Sequence, residues 1–158
     1  AQNAPFARYK SHTHEGGVAS PFVIRWPGKI KAGSKTDQVG HIIDFMPTFL
    51  DVADGKFPMS NDGKPLLRPE GISLVPVLTG EEAAIKRPAP LFWFWSKKRA
   101  IREGVWKLVW ESPKNGWELY NLGLDRTETN NVAEKQASKV AQMSKKWYAW
   151  AALTGVKY

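Results

Sequence analysis

The chain has 158 residues, the length of one ordinary domain with room for a hydrophobic core. It contains no cysteine, which excludes disulfides and thiolate-bound metals. The net charge of +8 either favours an anionic partner or reflects a basic, well-solvated surface. No apolar run approaches the roughly 18 residues of a membrane-spanning helix, so we expect no membrane span.

A glycine turn with chargeable side chains precedes the first strand-like run. The stretch reads Lys10-Ser-His-Thr-His-Glu-Gly-Gly17. The double glycine allows a positive φ or a close approach of the backbone to a ligand. Aromatic and β-branched side chains over residues 22–26 then predict a strand. Because loops on a rigid scaffold carry function, Lys10 and His14 are candidate site residues.

Two short helices are predicted in the middle of the chain. Asp44 is the expected N-cap of the first. Its apolar side chains recur at helical spacing and are expected to face the core; they are Phe45, Phe49 and Val52. The second helix is expected within residues 72–78, ending before Gly80.

Strand signals then occur in series. Runs rich in aromatic and apolar residues lie at 91–95, 100–102, 105–110 and 117–122. In the third run, Trp106, Leu108 and Trp110 share one face, and Val105, Lys107 and Val109 share the other. The sequence therefore predicts an antiparallel meander of about four strands.

The chain ends in a predicted amphipathic helix. Asn131 is its expected N-cap, with Glu134 reaching back as in a capping box. One stripe of the helix is small or apolar and consists of Ala133, Ala137, Val140, Ser144, Trp147 and Ala151. We expect this stripe to pack on the sheet face that carries Trp106, with Trp147 buried. The expected fold class is α+β.

Several motifs, in order along the chain, resemble those of the type I sulfatases, the arylsulfatase branch of the alkaline phosphatase superfamily. The first motif covers residues 10–28. It consists of a lysine followed after four residues by Glu-Gly-Gly, and then, after a short gap, of a proline, a hydrophobic strand and Trp-Pro-Gly. Residues 41–50 resemble the family's helix that carries Pro-Thr, and residues 71–80 its Gly-x-Ser-Leu segment. Residues 100–108 and 117–122 resemble its C-terminal strands.

The resemblance implies the C-terminal portion of such an enzyme. The family's formylglycine nucleophile arises in a Cys/Ser-x-Pro-x-Arg motif, and that motif and the calcium-binding Asp-Asp and Asp-Asn pairs lie upstream. Residues 1–54 would then be the tail of the sulfatase catalytic domain, that is, the C-terminal end of its α/β fold. Residues 55–90 would form connecting loops and a short helix, and residues 91–158 a subdomain of antiparallel sheet and packed C-terminal helix.

The full-length parent would hydrolyse aryl or carbohydrate sulfate esters. It would use Ca²⁺ or another divalent cation together with formylglycine, and the residues that provide both would lie outside this fragment. The fragment alone would be inactive. Its partners would be a sulfated small molecule or glycan and the N-terminal remainder of the same enzyme. By resemblance, the location would be periplasmic or secreted.

The resemblance implies that Lys10 is both catalytic and substrate-binding, because the matching lysine contacts the substrate sulfate. A fixed ammonium stabilises the negative charge that develops as the S–O bond breaks. His14 is a second substrate-binding candidate, able to donate to an oxyanion or to protonate a leaving group, or else to stabilise the turn. Glu15 is expected to order the loop by accepting backbone N–H groups. No metal ligand is assigned within the chain.

Three alternatives remain open at this point. One is a phosphatase or phosphonate hydrolase of the same superfamily, and another is a non-catalytic domain that binds anionic glycans. A third is a zinc site at His12 and His14, with His41 or Glu15 as further ligand. Nucleic-acid binding through the basic residues 97–99 is not expected, because no recognised signature is present.

Overall fold

The computed structural model describes residues 3–158. Two short 3-10 helices, Ile42–Asp44 and Glu134–Gln136, lead into longer helices. The α-helices and strands in chain order are α1 (Glu15–Val18), α2 (Phe45–Val52), β1 (Ser60–Asn61), β2 (Lys64–Pro65), α3 (Val75–Thr79), β3 (Leu91–Trp95), β4 (Lys98–Glu103), β5 (Trp106–Trp110), β6 (Trp117–Asn121) and α4 (Ala137–Leu153).

The chain forms two compact units. One joins the segment ending at Pro21 to Pro90–Tyr158, and the other is Phe22–Ala89. The boundary between the units separates residues 3–21 from residues 22–54. The assignment of residues 1–54 to the catalytic domain of a longer enzyme stays a prediction.

The first unit is built on a four-stranded antiparallel sheet in the order β3-β4-β5-β6. The register sets Ile101 opposite Leu108 and Leu108 opposite Leu119, which makes a row of fully buried side chains across the sheet. Local alternation of apolar residues was sufficient to identify these strands. The predicted antiparallel meander and the α+β fold class are confirmed.

Helix α4 packs on one face of this sheet. Its buried residues Met143, Trp147 and Ala151 join the sheet residues Ile101, Leu108 and Leu119 in one cluster. Trp106 packs against the same cluster, as expected from the alternation along β5. The Trp147 side chain has no exposed surface, and its indole Nε1 donates to the carbonyl oxygen of Trp93 at 3.2 Å. The prediction of a buried Trp147 is confirmed.

The start of the last helix differs from the prediction. Asn131 Oδ1 accepts the backbone N–H of Ala133, but it also accepts the N–H of Leu119 in β6. The Asn131 side chain is therefore divided between the turn and the edge of the sheet. A 3-10 helix follows, so that α4 begins only at Ala137, and no side chain caps either start. The expected capping box with Glu134 is wrong.

The opposite face of the sheet is covered by the N-terminal segment. Ala100, Val109, Tyr120 and Leu122 form its apolar cluster. The hydroxyl of Thr13 donates to the carbonyl oxygen of Arg99 at 3.2 Å, which ties the segment to β4. This face positions the residues of the predicted site.

The second unit, residues 22–89, corrects three expectations about its local structure. Residues 22–26 form no strand within the described chain, because a strand needs a neighbouring strand for its backbone hydrogen bonds and none of the described strands pairs with them. Asp44 lies at the N-cap position of α2, as predicted, but its side chain caps no N–H of α2 and instead belongs to the preceding 3-10 helix, whose N-cap is His41. His41 Nδ1 accepts the N–H of Ile43, and Asp44 Oδ2 accepts the N–H of His41, so Asp44 is the third residue of a capping box.

Helix α2 also faces differently from the prediction. Thr48 is its buried residue, and its hydroxyl accepts the N–H of Leu74 at 3.0 Å. Phe49 is 67% exposed and Val52 47% exposed, so their predicted core positions are wrong for the described residues. Helical spacing identifies an apolar face, but packing decides whether that face is covered.

Candidate functional site

Residues 7–18 form a tightly folded segment at the predicted site. The backbone N–H of Gly16 donates to the carbonyl oxygen of Ala7 at 2.9 Å, so the segment closes on itself. A Cβ on Gly16 would lie 2.3 Å from the carbonyl oxygen of Arg8, and one on Gly17 would lie 2.0 Å from that of His12. The double glycine thus permits a close approach of the chain to itself, within α1, rather than a positive φ.

Lys10 lies at the exposed tip of this segment. Its neighbours Arg8 and Ser11 have positive φ values of 67° and 72°, which turn the chain sharply on both sides of it. The Nζ of Lys98 donates to the carbonyl oxygen of Ser11 at 2.8 Å and anchors the tip to β4. Within residues 3–158, the Lys10 ammonium forms no ion pair, so it faces outward from a fixed loop. Its contact with a substrate stays a prediction.

The two histidines of the segment lie beside two glutamates. His12 Nδ1 is 2.7 Å from Glu111 Oε1. His14 Nδ1 is 3.5 Å from Glu111 Oε2, and His14 Nε2 is 3.2 Å from Glu118 Oε2. The His14 side chain is 4% exposed. A ring held between two carboxylates positions the Lys10 segment, and a direct contact of His14 with substrate stays a prediction.

These contacts shift the pKa values of two side chains in β6, Glu118 and Tyr120. The hydrogen bond from His14 lowers the pKa of Glu118 to about 2, with further donation from Tyr120 and Asn115, against burial that acts in the other direction. Burial and the same hydrogen bond to Glu118 raise the pKa of the Tyr120 hydroxyl far above its usual range. Tyr120 therefore stays a donor and Glu118 a charged acceptor at neutral pH.

A buried ion cluster fixes the other end of the segment. Lys107 has no exposed surface, and its Nζ lies 2.7 Å from Glu15 Oε1 and 3.0 Å from Glu128 Oε1. The backbone N–H of Glu15 donates to Glu128 Oε2 at 2.7 Å. Burial raises the pKa of Glu128, and the charge of Lys107 acts against this rise. Glu15 orders the segment, but it does so through Lys107 rather than by accepting backbone N–H groups.

The sequence singled out Lys10, His14 and Glu15 but missed Lys107, Glu111, Glu118 and Glu128. The one available signal was Lys107, a lysine between Trp106 and Leu108 on a strand with both faces covered. A buried lysine requires an acidic partner. Nothing local indicates that the partner is Glu15, which lies 92 residues away in the sequence.

The zinc alternative finds no support. No group of three or more His, Asp or Glu residues among residues 3–158 is arranged to hold a metal ion. His41 caps a turn in the other unit. The same stretch of chain contains no helix that is long and apolar enough to cross a membrane.

The chain is similar to sulfatases over most of its length. Residues 8–150 match the protein family described as N-sulphoglucosamine sulphohydrolase, C-terminal. An uncharacterized sulfatase of Schizosaccharomyces pombe is 29% identical over 99% of this chain and 29% of its own length. The N-acetylglucosamine-6-O-sulfatase of Bacteroides thetaiotaomicron is 34% identical over 80% of this chain and 23% of its own length.

A solved structure extends the similarity to the fold. The protein BT4656, in complex with its substrate D-glucosamine-2-N,6-O-disulfate, shares 27% identity with a TM-score of 0.57. The match covers 82% of this chain and 27% of that protein. The chain belongs to the family of C-terminal sulfatase domains, and it spans less than a third of the length of these relatives.

Proposed function

We propose that the full-length protein hydrolyses sulfate esters and that Lys10 of this chain contacts the sulfate group. The observation that carries the proposal is the sulfatase family match over residues 8–150, which includes an exposed Lys10 on an anchored loop. Lys98 and the Glu15–Lys107 pair hold the segment that carries Lys10, so its backbone loses little freedom when an anion binds.

The proposed chemistry divides between this chain and the upstream portion. The formylglycine nucleophile and Ca²⁺ are assigned to the upstream portion, on the resemblance to the type I sulfatases of the alkaline phosphatase superfamily. The role of this chain is to bind and orient. Lys10 donates to a sulfate oxygen and stabilises the charge that develops there, while His14 and Glu118 hold the loop in place.

The proposed substrate is a sulfated amino sugar. This proposal is supported by the matched family's description, by a relative named N-acetylglucosamine-6-O-sulfatase, and by a similar structure bound to a glucosamine disulfate. A periplasmic or secreted location is proposed on the resemblance to sulfatases alone.

The test uses the full-length protein and paired substrates. We expect turnover of 4-nitrophenyl sulfate and of glucosamine 6-sulfate, with much lower kcat/KM for 4-nitrophenyl phosphate. A preference for the phosphate ester would replace the proposal with a phosphatase. Residues 1–158 alone should show no turnover, and metal-dependent hydrolysis by that fragment would contradict the assignment of the nucleophile to the upstream portion.

A further inference from the structure

The carboxylate of Glu111 contacts three basic side chains around the Lys10 segment. Glu111 directly follows β5, and its side chain is 11% exposed. Its Oε1 lies 2.7 Å from His12 Nδ1 and 3.8 Å from Lys98 Nζ, and its Oε2 lies 3.5 Å from His14 Nδ1. Two of these partners belong to the N-terminal segment and the third belongs to β4, so one carboxylate joins the segment to the sheet.

Two of these partners also contact the residues on either side of Lys10. Lys98 Nζ donates to the carbonyl oxygen of Ser11 at 2.8 Å. The His12 ring meets the Tyr9 ring edge to face, with 5.0 Å between the two ring centroids. The same carboxylate therefore holds both neighbours of Lys10, one through each partner.

The other carboxylate beside the histidines, Glu118, has a different task. It accepts hydrogen bonds from the Tyr120 hydroxyl at 2.7 Å and from the Asn115 amide at 3.0 Å, and its Oε2 lies 3.2 Å from His14 Nε2. Glu118 thus holds the His14 ring without help. The Oε2 atom of Glu111 is buried and accepts no hydrogen bond within residues 3–158, so this carboxylate acts on its partners by charge.

We propose that Glu111 is a positioning residue for sulfate binding. Its negative charge holds the two neighbours of Lys10 and so fixes where the Lys10 ammonium meets the sulfate ester. Opposite charges that are largely shielded from water attract more strongly than exposed ones. The proposal rests on the proposed function, in which Lys10 contacts the sulfate, and adds the residue on which the geometry of that contact depends.

The first test is a double-mutant cycle in the full-length protein. Glu111→Gln keeps the size of the side chain and removes its charge. It should lower kcat/KM for 4-nitrophenyl sulfate by about 10- to 100-fold, since a misplacement of about 1 Å can cost that much. In the Lys10→Ala background the same substitution should change kcat/KM by less than about 2-fold, because the group that it positions is gone. An equal fall in both backgrounds would overturn the proposal and leave Glu111 a general role in stability.

The second test measures the segment without any reference to activity. Hydrogen exchange over residues 8–14, followed by mass spectrometry, should be faster in Glu111→Gln than in the unaltered protein. The matched control is Glu103→Gln, which removes the ion pair with Lys146 at the other end of β5 and should change neither exchange nor kcat/KM. Unchanged exchange over residues 8–14 in Glu111→Gln would overturn the proposal.

A second variant keeps the proposal testable if Glu111→Gln does not fold, which near-ultraviolet circular dichroism reports. Lys98→Met keeps the apolar stem but loses the donor to Ser11 and the contact with Glu111. It should lower kcat/KM and speed exchange in the same way, again only while Lys10 is present for kcat/KM. Near-normal kcat/KM of Lys10→Ala would overturn the proposed function and this proposal together. A large effect of Lys10→Ala with none of Glu111→Gln would overturn this proposal alone.

Discussion

Single side chains in the sheet determine where Lys10 lies. Lys107 is enclosed between Glu15 and Glu128, and no part of its side chain reaches solvent. Three buried charges in contact are costly to desolvate, and their attraction offsets that cost only while the set is complete. The cluster therefore makes the position of the N-terminal segment sensitive to one residue in β5.

Removing that lysine should destabilise the fold. We expect Lys107→Met to lower the free energy of unfolding by about 3–5 kcal/mol at pH 7.5, because Glu15 and Glu128 lose the cation that contacts both of them. Glu15 keeps Arg102 and Arg126 at 4.0 and 3.9 Å, so Glu128 bears most of this loss. The exposed Lys114→Met is the control and should change the free energy by less than about 0.5 kcal/mol. Urea denaturation measures both.

The pH dependence of this loss tests its electrostatic origin. Burial raises the pKa of Glu128 in the folded state, so its protonation favours folding; this contribution is present at low pH and is lost as the pH rises through the folded pKa. Without Lys107 the rise should be larger. The Lys107→Met variant should therefore be less destabilised at pH 4.5 than at pH 7.5, and an equal loss at both values would point to packing instead.

The contribution of Glu118 to stability should change with pH in the opposite direction. Its pKa falls from 4.5 to about 2 on folding, so the stability it contributes is present above about pH 4.5 and is lost as the pH falls towards 2. Glu118→Gln should be less stable than the unaltered chain at pH 6, and this difference should shrink at pH 2.5. Thermal melts over this range, with the exposed Glu134→Gln as control, provide the check. A constant difference would contradict the ion-pair account.

The sequence could identify Lys10 because it belongs to a motif of adjacent residues. It could not identify the residues that hold Lys10 in place, because they come from distant strands. Glu111 and Glu118 flank the β5–β6 connection, about 100 residues after His14. Only the register of the sheet brings these side chains together.

At the scale of elements, helix α1 depends on the absence of two side chains. Gly16→Ala would place a Cβ 2.3 Å from a backbone oxygen, which cannot move away as a flexible side chain would. We expect a loss of about 1–3 kcal/mol or more from overpacking. Gly40→Ala is the control, because its Cβ would meet only the Leu74 side chain at 3.5 Å. Equal stability of the two variants in urea would show that the segment is loosely packed.

The elements that local pattern predicted correctly are those whose partners are adjacent in the sequence. β3 to β6 pair consecutively, so each run of alternating residues finds its neighbour after a short connection. Residues 22–26 have the same composition but no partner strand among the described residues. The face of α2 that carries Phe49 and Val52 is likewise apolar and uncovered. The sequence pattern shows that a segment has an apolar face, but the rest of the fold decides whether another element pairs with that segment or covers it.

At the scale of the whole molecule, Trp147 connects α4 to the two outer strands of the sheet, β3 and β6. Its ring contacts the rings of Phe94, Trp117 and Trp150, and it donates a hydrogen bond to β3. We expect Trp147→Ala to lower the free energy of unfolding by about 3–5 kcal/mol. Trp95→Ala, with 59% of the residue exposed, is the control. An unchanged melting temperature in Trp147→Ala would refute the core assignment.

The measurement that tests the central claim most directly is kcat/KM of the full-length protein for a sulfate ester, with and without Lys10. The account predicts that Lys10→Ala lowers kcat/KM by about 10²–10³-fold, by analogy with the loss of one oxyanion donor. Lys10→Arg should restore it only in part, because a planar fork replaces a point charge. The exposed Lys31→Ala should leave it unchanged. Near-normal activity of Lys10→Ala would contradict the claim that this chain supplies a sulfate-binding residue.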